Sequence, residues 1–187
     1  MPRLVDADRR RGELADAAAC AIARSGIDGA SLREVAAEAG WTTGALVHYF
    51  ANKRELLAFT LRASLNSRCA RRSDHAALTP DRALRTMLVD ALPTTEEMTL
   101  HWVVALAFAG QAGSDPGLAL IQRNAYLKFR ATVIALIEIC RPDLESDQEA
   151  ERLLALVNGI ALQSLFDPVL WTESRQLSAL DAGRGHR

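Results

Sequence analysis

The chain has three cysteines, Cys20, Cys69 and Cys140. An odd number with no C-x-x-C pair excludes a disulfide framework and a cysteine zinc site, and suits a reducing cytoplasm. Aromatic residues are few, at 5%. No run is long and apolar enough for a bilayer: the most apolar stretch, Met98 to Gly113, is short and broken by His101 and Gln111. Charge from Arg3 to Arg11 leaves no apolar core for a secretory signal, so the expectation is a cytoplasmic protein with no membrane partner. Strand-like alternation of useful length and internal repeats are absent. H-E-x-x-H, G-x-S-x-G, a Walker loop and G-x-G-x-x-G are missing too, and no Cys/His/acid cluster has ligand spacing. Glu96, Glu97, Glu149 and Glu151 read as helix starts and solvated faces. No enzyme, catalytic residue, metal site or cofactor is expected.

What is present is the composition of a folded helical protein. Of 187 residues, 49% are hydrophobic and 24% charged, which is ordinary for a globular chain of one or two domains. Ala and Leu are abundant, and both favour helix. The net charge of −1 hides an asymmetry. Residues 1–72 carry twelve Lys/Arg against eight Asp/Glu, whereas 73–187 carry ten against fifteen. A basic front and an acidic back suit a small phosphate-binding module on a larger regulatory body.

Helical periodicity recurs along the chain. Leu14, Ala17, Ala18, Ala21 and Ile22 form one apolar stripe, and Gly26 is expected to end that helix. Ser31 and Glu34 have capping-box spacing at the start of the next, and Gly40 stands where a left-handed C′ residue belongs. A short helix follows over about 43–50. Asn52 caps a fourth, with Glu55 three residues on, that reaches about Arg72, where Arg68, Arg71 and Arg72 suit a helix C-terminus. Ser73–Thr79 reads as the boundary between domains 1–72 and 73–187. Five more helices are expected near 80–91, 94–110, 116–140, 147–166 and 173–182, separated by proline- and glycine-containing breaks. About nine helices make an all-α architecture.

Two short helices joined by a tight turn within 31–50 are what a helix-turn-helix requires. Its second helix would present Thr42, Thr43 and Gly44 to base edges in the major groove, with His48 and Tyr49 one turn later. Leu32, Val35, Ala36, Leu46 and Phe50 are expected to be core. Trp41 reads as packing or as a base contact, and His48 as a DNA contact or a solvated helix face.

The order Ser31-Leu32-Arg33-Glu34-Val35-Ala36, then Gly40 to Phe50, then Lys53-Arg54-Glu55-Leu56-Leu57 resembles the N-terminal signature of TetR-type regulators. The match runs without gaps from about Arg11 to Leu61. The resemblance implies that Ser31 and Arg33 face phosphate or a groove edge, that Thr42, Thr43 and Gly44 begin the recognition helix, and that Tyr49 and Lys53 bind phosphate. Two positions depart from the pattern. Trp41 replaces a small aliphatic turn residue, and Val47 replaces a frequent phosphate-binding tyrosine, for which His48 or Tyr49 could substitute.

The second region exceeds what DNA binding needs. Its nearly all-apolar helix over 98–110 and the long helix after it suggest walls for a small-molecule pocket. Candidate liners are Trp102, Phe108, Tyr126 and Phe129, with His101 and Gln122 as polar groups; plain core packing is the alternative for each. Surplus apolar surface on the last helix pair suggests a two-fold interface through Leu154, Val157, Ala161, Leu162 and Leu165. The run from Asn158 to Pro168, with Trp171 and Arg175, resembles the choline-responsive, BetI-like branch, in which these helices form the dimer's four-helix bundle. The resemblance thus implies a homodimeric repressor that binds a palindromic double-stranded DNA operator and is released by a small-molecule effector of unidentified structure. A ligand-responsive activator, or a helical small-molecule-binding protein or enzyme without specific DNA binding, are the alternatives.

Overall fold

The computed structural model describes the backbone of residues 2–70 and 78–185, and the side chains of 9–65 and 78–185. The expectations for Arg68, Arg71, Arg72 and most of the boundary at Ser73–Thr79 lie outside the described residues. Those described form nine helices and no strand: α1 (Pro2–Gly29), α2 (Leu32–Glu38), α3 (Thr43–Val47), α4 (Lys53–Ala70), α5 (Pro80–Val89), α6 (Glu96–Gln111), α7 (Pro116–Cys140), α8 (Ser146–Phe166) and α9 (Glu173–Arg184). None of them is long and apolar enough to cross a membrane.

The chain divides into two compact units that are not contiguous in sequence. One comprises Met1–Ser67 with Val103–Gln122; the other comprises Arg68–Trp102 with Arg123–Arg187. The stretch 103–122, which a simple division near residue 72 assigns to the back half, is compact with the N-terminal helices.

In the first unit the α1 stripe is buried as its spacing requires: Leu14, Ala17, Ala18, Ala21 and Ile22 all lie in the core. Gly26 interrupts α1 with φ 71° and ψ 175°, a region open essentially to glycine alone. The chain then makes one further helical turn and delivers Ile27 and Ala30 to the core. Val35 and Ala36 of α2, Leu46 and Phe50 around α3, and Leu56, Leu57 and Leu61 of α4 complete it. Phe50 packs on Phe59 with ring centroids 5.3 Å apart.

The second unit has its own core, drawn from α5 (Leu84, Met87, Leu88), α7 (Val133, Ile137), α8 (Leu153, Val157, Ile160) and Leu180 of α9. Trp102 joins it and keeps its indole N–H satisfied by donating to the Ala91 carbonyl at 2.8 Å, the usual condition for burying that group. Against α8, α9 packs so closely that a Cβ at Gly183 would collide with Leu156.

Candidate nucleic-acid interface

Helix α2 is fixed at both ends by local chemistry. The Ser31 backbone N–H donates to Glu34 Oε2 at 2.8 Å, and the Glu34 N–H donates to Ser31 Oγ at 3.2 Å, a complete capping box. These bonds from Ser31, backbone first and then side chain, hold the Glu34 carboxyl below the usual carboxylate range. At the other end Gly40 adopts φ 70°. Its N–H donates to Ala37 O at 3.1 Å and that of Trp41 donates to Ala36 O at 2.7 Å, the two bonds of a Schellman motif. The chain therefore leaves α2 in one defined direction.

Thr42 restarts it. Its Oγ accepts from the Ala45 N–H at 3.2 Å and caps α3, so the structure shows this residue acting first as a cap. Its hydroxyl proton is not used in that bond, and an incoming acceptor could take it. Regular helix ends at Val47, earlier than the 43–50 expected, and the chain closes through Tyr49 N–H and Phe50 N–H donating to Leu46 O at 2.9 and 3.1 Å. Leu46 is fully buried, while Thr42, Thr43, Gly44 and His48 are exposed. Arg33 is exposed and Ser31 half-buried on the preceding helix. Val47, at 46% exposure, presents an apolar side chain where the family pattern often has a tyrosine.

Tyr49 is held from several sides. Its ring meets Trp41 edge-to-face, with centroids 5.5 Å apart. Arg10 donates to its hydroxyl and Arg11 to its carbonyl, each at 3.4 Å. Arg11 also lies over the Phe50 and Phe59 rings, 5.9 Å from each centroid. Of the two readings open for Trp41, this ring contact supports packing. Sequence reading took Arg9 to Arg11 only as charge, and missed that Arg10 and Arg11 brace Tyr49. A spacing of 38 or 39 residues leaves no local signal.

Asn52 caps α4, accepting from the Glu55 N–H at 2.9 Å, while Glu55 Oε2 accepts from the Ala51 N–H at 2.8 Å. Lys53, half-buried, donates to the Asp28 carbonyl at 3.0 Å. That bond ties the start of α4 to the end of α1, and the ammonium retains two more protons. Its neighbour Arg54 grips Asp115 bidentately at 2.8 and 2.9 Å, and Asp115 Oδ1 also accepts from the Gly117 and Leu118 N–H groups at the start of α7. The Arg54 side-chain bonds are the main reason that the Asp115 carboxyl lies below its ordinary value.

The sequence candidates for an effector pocket are divided between the units. His101, Trp102, Tyr126 and Phe129 belong to the second; Phe108 and Gln122 belong to the first. His101, Trp102, Phe108 and Phe129 are buried, Tyr126 is 44% exposed, and Gln122 donates to Ala105 O at 3.3 Å. Two cavities of the second unit, of about 690 and 190 Å³, are lined by none of the six.

The candidate interface residues differ in exposure. Leu154, Val157 and Ala161 are 3%, 2% and 0% exposed and belong to the second unit's own core. Leu162 and Leu165 are half-buried. The open face of α8 is Ala155, Gly159, Leu162 and Phe166, the last 71% exposed.

Comparison with known proteins matches residues 14–58 to the model of bacterial regulatory proteins of the tetR family, and residues 80–183 to the BetI-type transcriptional repressor C-terminal domain. The HTH-type transcriptional regulator PksA of Bacillus subtilis is 33% identical over 94% of this chain and 88% of its own. The regulator BetI of Burkholderia mallei is 30% identical over 87% and 85%. A transcriptional regulator from Rhodococcus sp. Rha1 superposes with a TM-score of 0.85 at 36% identity, covering 94% of each chain. A regulator from Saccharomonospora viridis, solved in complex with choline, shares the fold at a TM-score of 0.86 and 21% identity, over 94% of this chain and 95% of that one. With its capped α2–turn–α3 unit matched by one model and its α5–α9 region by another, the chain belongs to the TetR family of helix-turn-helix DNA-binding transcriptional regulators, not to an enzyme family.

Proposed function

We propose that the protein is a homodimeric repressor that binds a palindromic operator and is released by a small-molecule effector. The observation that carries the DNA contacts is the exposed start of α3. Thr42, Thr43 and Gly44 form a low, polar surface there, set by the Gly40 turn and the Thr42 cap. Ser31 and Arg33 before the turn, and His48, Tyr49 and Lys53 after it, would contact backbone or groove edges. Phosphate contacts fix register, and the first turn of α3 reads bases. The test is a gel-shift titration of Arg33→Ala and Lys53→Ala at several salt concentrations. Each variant is expected to bind more weakly, with a salt slope reduced by about one unit. Wild-type affinity and slope in both would remove these two assignments.

Self-association is assigned to the open face of α8. Ala155, Gly159, Leu162 and Phe166 recur at helical spacing, and Gly159 has open space around it. Close helix approach at a small residue suits a two-fold bundle. A Cβ at Gly159 meets nothing within 4 Å, and Gly159→Glu would place a charge in the interface, so sedimentation velocity should show monomers. An unchanged dimer would exclude this face.

Effector binding is assigned to the BetI-type half, in a cytoplasmic protein. The choline complex of the Saccharomonospora viridis regulator makes choline the first ligand to test. An effector releases DNA only to the extent that it binds the non-operator conformation more tightly. Turnover of such a ligand by the purified protein would contradict the reading.

A further inference from the structure

We infer that the second unit carries an oxyanion-binding site for a small carboxylate- or phosphate-bearing molecule, opposite in ligand charge to the choline-type effector proposed above. A cavity of about 690 Å³ opens where the start of α5, the end of α7, the start of α8 and the end of α9 converge, and Arg85, Arg141, Arg152 and Arg184 line it. That volume is ordinary for a metabolite-sized ligand, and the four guanidiniums share the lining with four acids, Asp81, Asp143, Glu149 and Asp181.

The four arginines are not equally satisfied. Arg85 is matched bidentately by Asp181 at 2.7 and 2.8 Å. Arg152 is matched by Glu149 at 2.7 Å for both bonds, and it also donates to Gly183 O. Arg184 differs: it is 91% buried, being 9% exposed, and its Nε has no hydrogen-bond partner. Its Nη2 donates to Asp81 Oδ1 at 2.9 Å, and its Nη1 lies 3.9 Å from Asp181. Arg141 donates through Nη1 to Glu149 at 2.9 Å and to Arg184 O at 3.1 Å, but its Nη2 stands 3.9 Å from Asp81, beyond hydrogen-bonding range. A buried guanidinium with an unmet donor is costly; that Nε is closed to solvent, so a ligand in the cavity would be met by the Nη groups. A planar oxyanion is the group that its fork fits best.

The acids decide what can enter. Glu149 and Asp181 are each clamped by at least one bidentate arginine. Asp81 is different, because its side chain is 60% exposed and it makes one short contact, to Arg184. It can swing into solvent and leave Arg184 and Arg141 facing the cavity, and an incoming carboxylate or phosphate then takes its place at nearly constant local charge. Asp143 lines the cavity as well and sets a like-charge limit on how many negative charges the ligand can carry. Cys140, also on the wall, contributes no charge, since burial raises its thiol further above neutrality. Asp81 is thus an internal placeholder, and the ligand competes with it for Arg184 and Arg141.

The test uses the full chain with inorganic phosphate, sodium acetate and sodium chloride at matched ionic strength, followed by thermal unfolding and titration calorimetry. Phosphate, acetate or both should raise Tm by several degrees above chloride, and which one does so separates phosphate-bearing from carboxylate-bearing ligands. Asp81→Asn should start from a lower Tm yet bind the anion roughly threefold or more tighter, because the competitor has lost its charge. Arg184→Lys keeps the charge, loses the fork, and should weaken binding roughly tenfold. If it fails to fold, Asp81→Asn decides alone. The proposal is overturned if neither anion exceeds chloride, or if Asp81→Asn leaves affinity unchanged. In either case Arg184 is only a tie between α9 and α5. Operator release by choline does not depend on this outcome, so the two readings stand or fall separately.

Discussion

Gly44 offers a variant in which stability and DNA binding should move in opposite directions. It is the second residue of α3, exposed, outside the positive-φ region, and a Cβ there would meet nothing closer than Thr42 Oγ at 4.0 Å. Alanine therefore fits without strain. It should stabilise the first unit by about 0.5–1 kcal/mol, through higher helix propensity and a less flexible unfolded chain. The same methyl projects from the surface assigned to the duplex, where it would hold the start of α3 away from the base edges. Loss of two hydrogen bonds, at about 0.5–1.5 kcal/mol each, corresponds to a roughly 5- to 150-fold fall in affinity. Urea unfolding followed by circular dichroism gives the first quantity, with an unchanged m-value as the control. Fluorescence anisotropy on a selected operator gives the second. A Gly44→Ala protein that binds DNA as tightly as wild type would refute the placement of α3, whatever its stability.

Gly40→Ala should destabilise by about 1 kcal/mol, since alanine at φ 70° strains the Schellman turn; urea unfolding reads this directly. Gly183→Ala forces Leu156 to move and should cost about 1–3 kcal/mol by overpacking α8 against α9, seen as a lowered Tm. Glu149 is held below the usual carboxylate range, chiefly by its Arg152 bonds. Its folded pKa is depressed, so its contribution is present above the unfolded value of about 4.3 and fades as pH falls through the folded one. The Tm gap between wild type and Glu149→Gln should be steady from neutral pH to roughly pH 5 and shrink below it; a gap that widens in acid would show the sign to be wrong.

Local chemistry was legible in the sequence. The Ser31–Glu34 box, the Gly40 turn, the Asn52 cap and the Gly26 break each depend on residues within a few positions, and each appears where its spacing puts it. Faces of helices were harder. Apolar residues lie on more than one side of α8, and only packing within the second unit's core buries Leu154, Val157 and Ala161 and leaves Ala155, Gly159 and Phe166 open. Distant partners gave no signal. Arg10 and Arg11 on Tyr49, Arg54 on Asp115 across 61 residues, and Arg184 on Asp81 across 103 are products of the tertiary fold. The same holds for Lys53, whose bond to Asp28 gives it a role in joining α4 to α1 beside any contact with phosphate.

The most direct test of the account is selection of bound duplexes from a random pool by the purified full chain, with the stoichiometry of the selected complex then measured. A repressor built as proposed should enrich a two-fold symmetric sequence and bind it as two chains. Its half-sites should lie about one helical turn, or a multiple of it, apart, and Gly159→Glu should abolish the selection. Enrichment of no sequence, or of an asymmetric one bound by a single chain, would contradict the claim that α2 and α3 act as a paired operator reader.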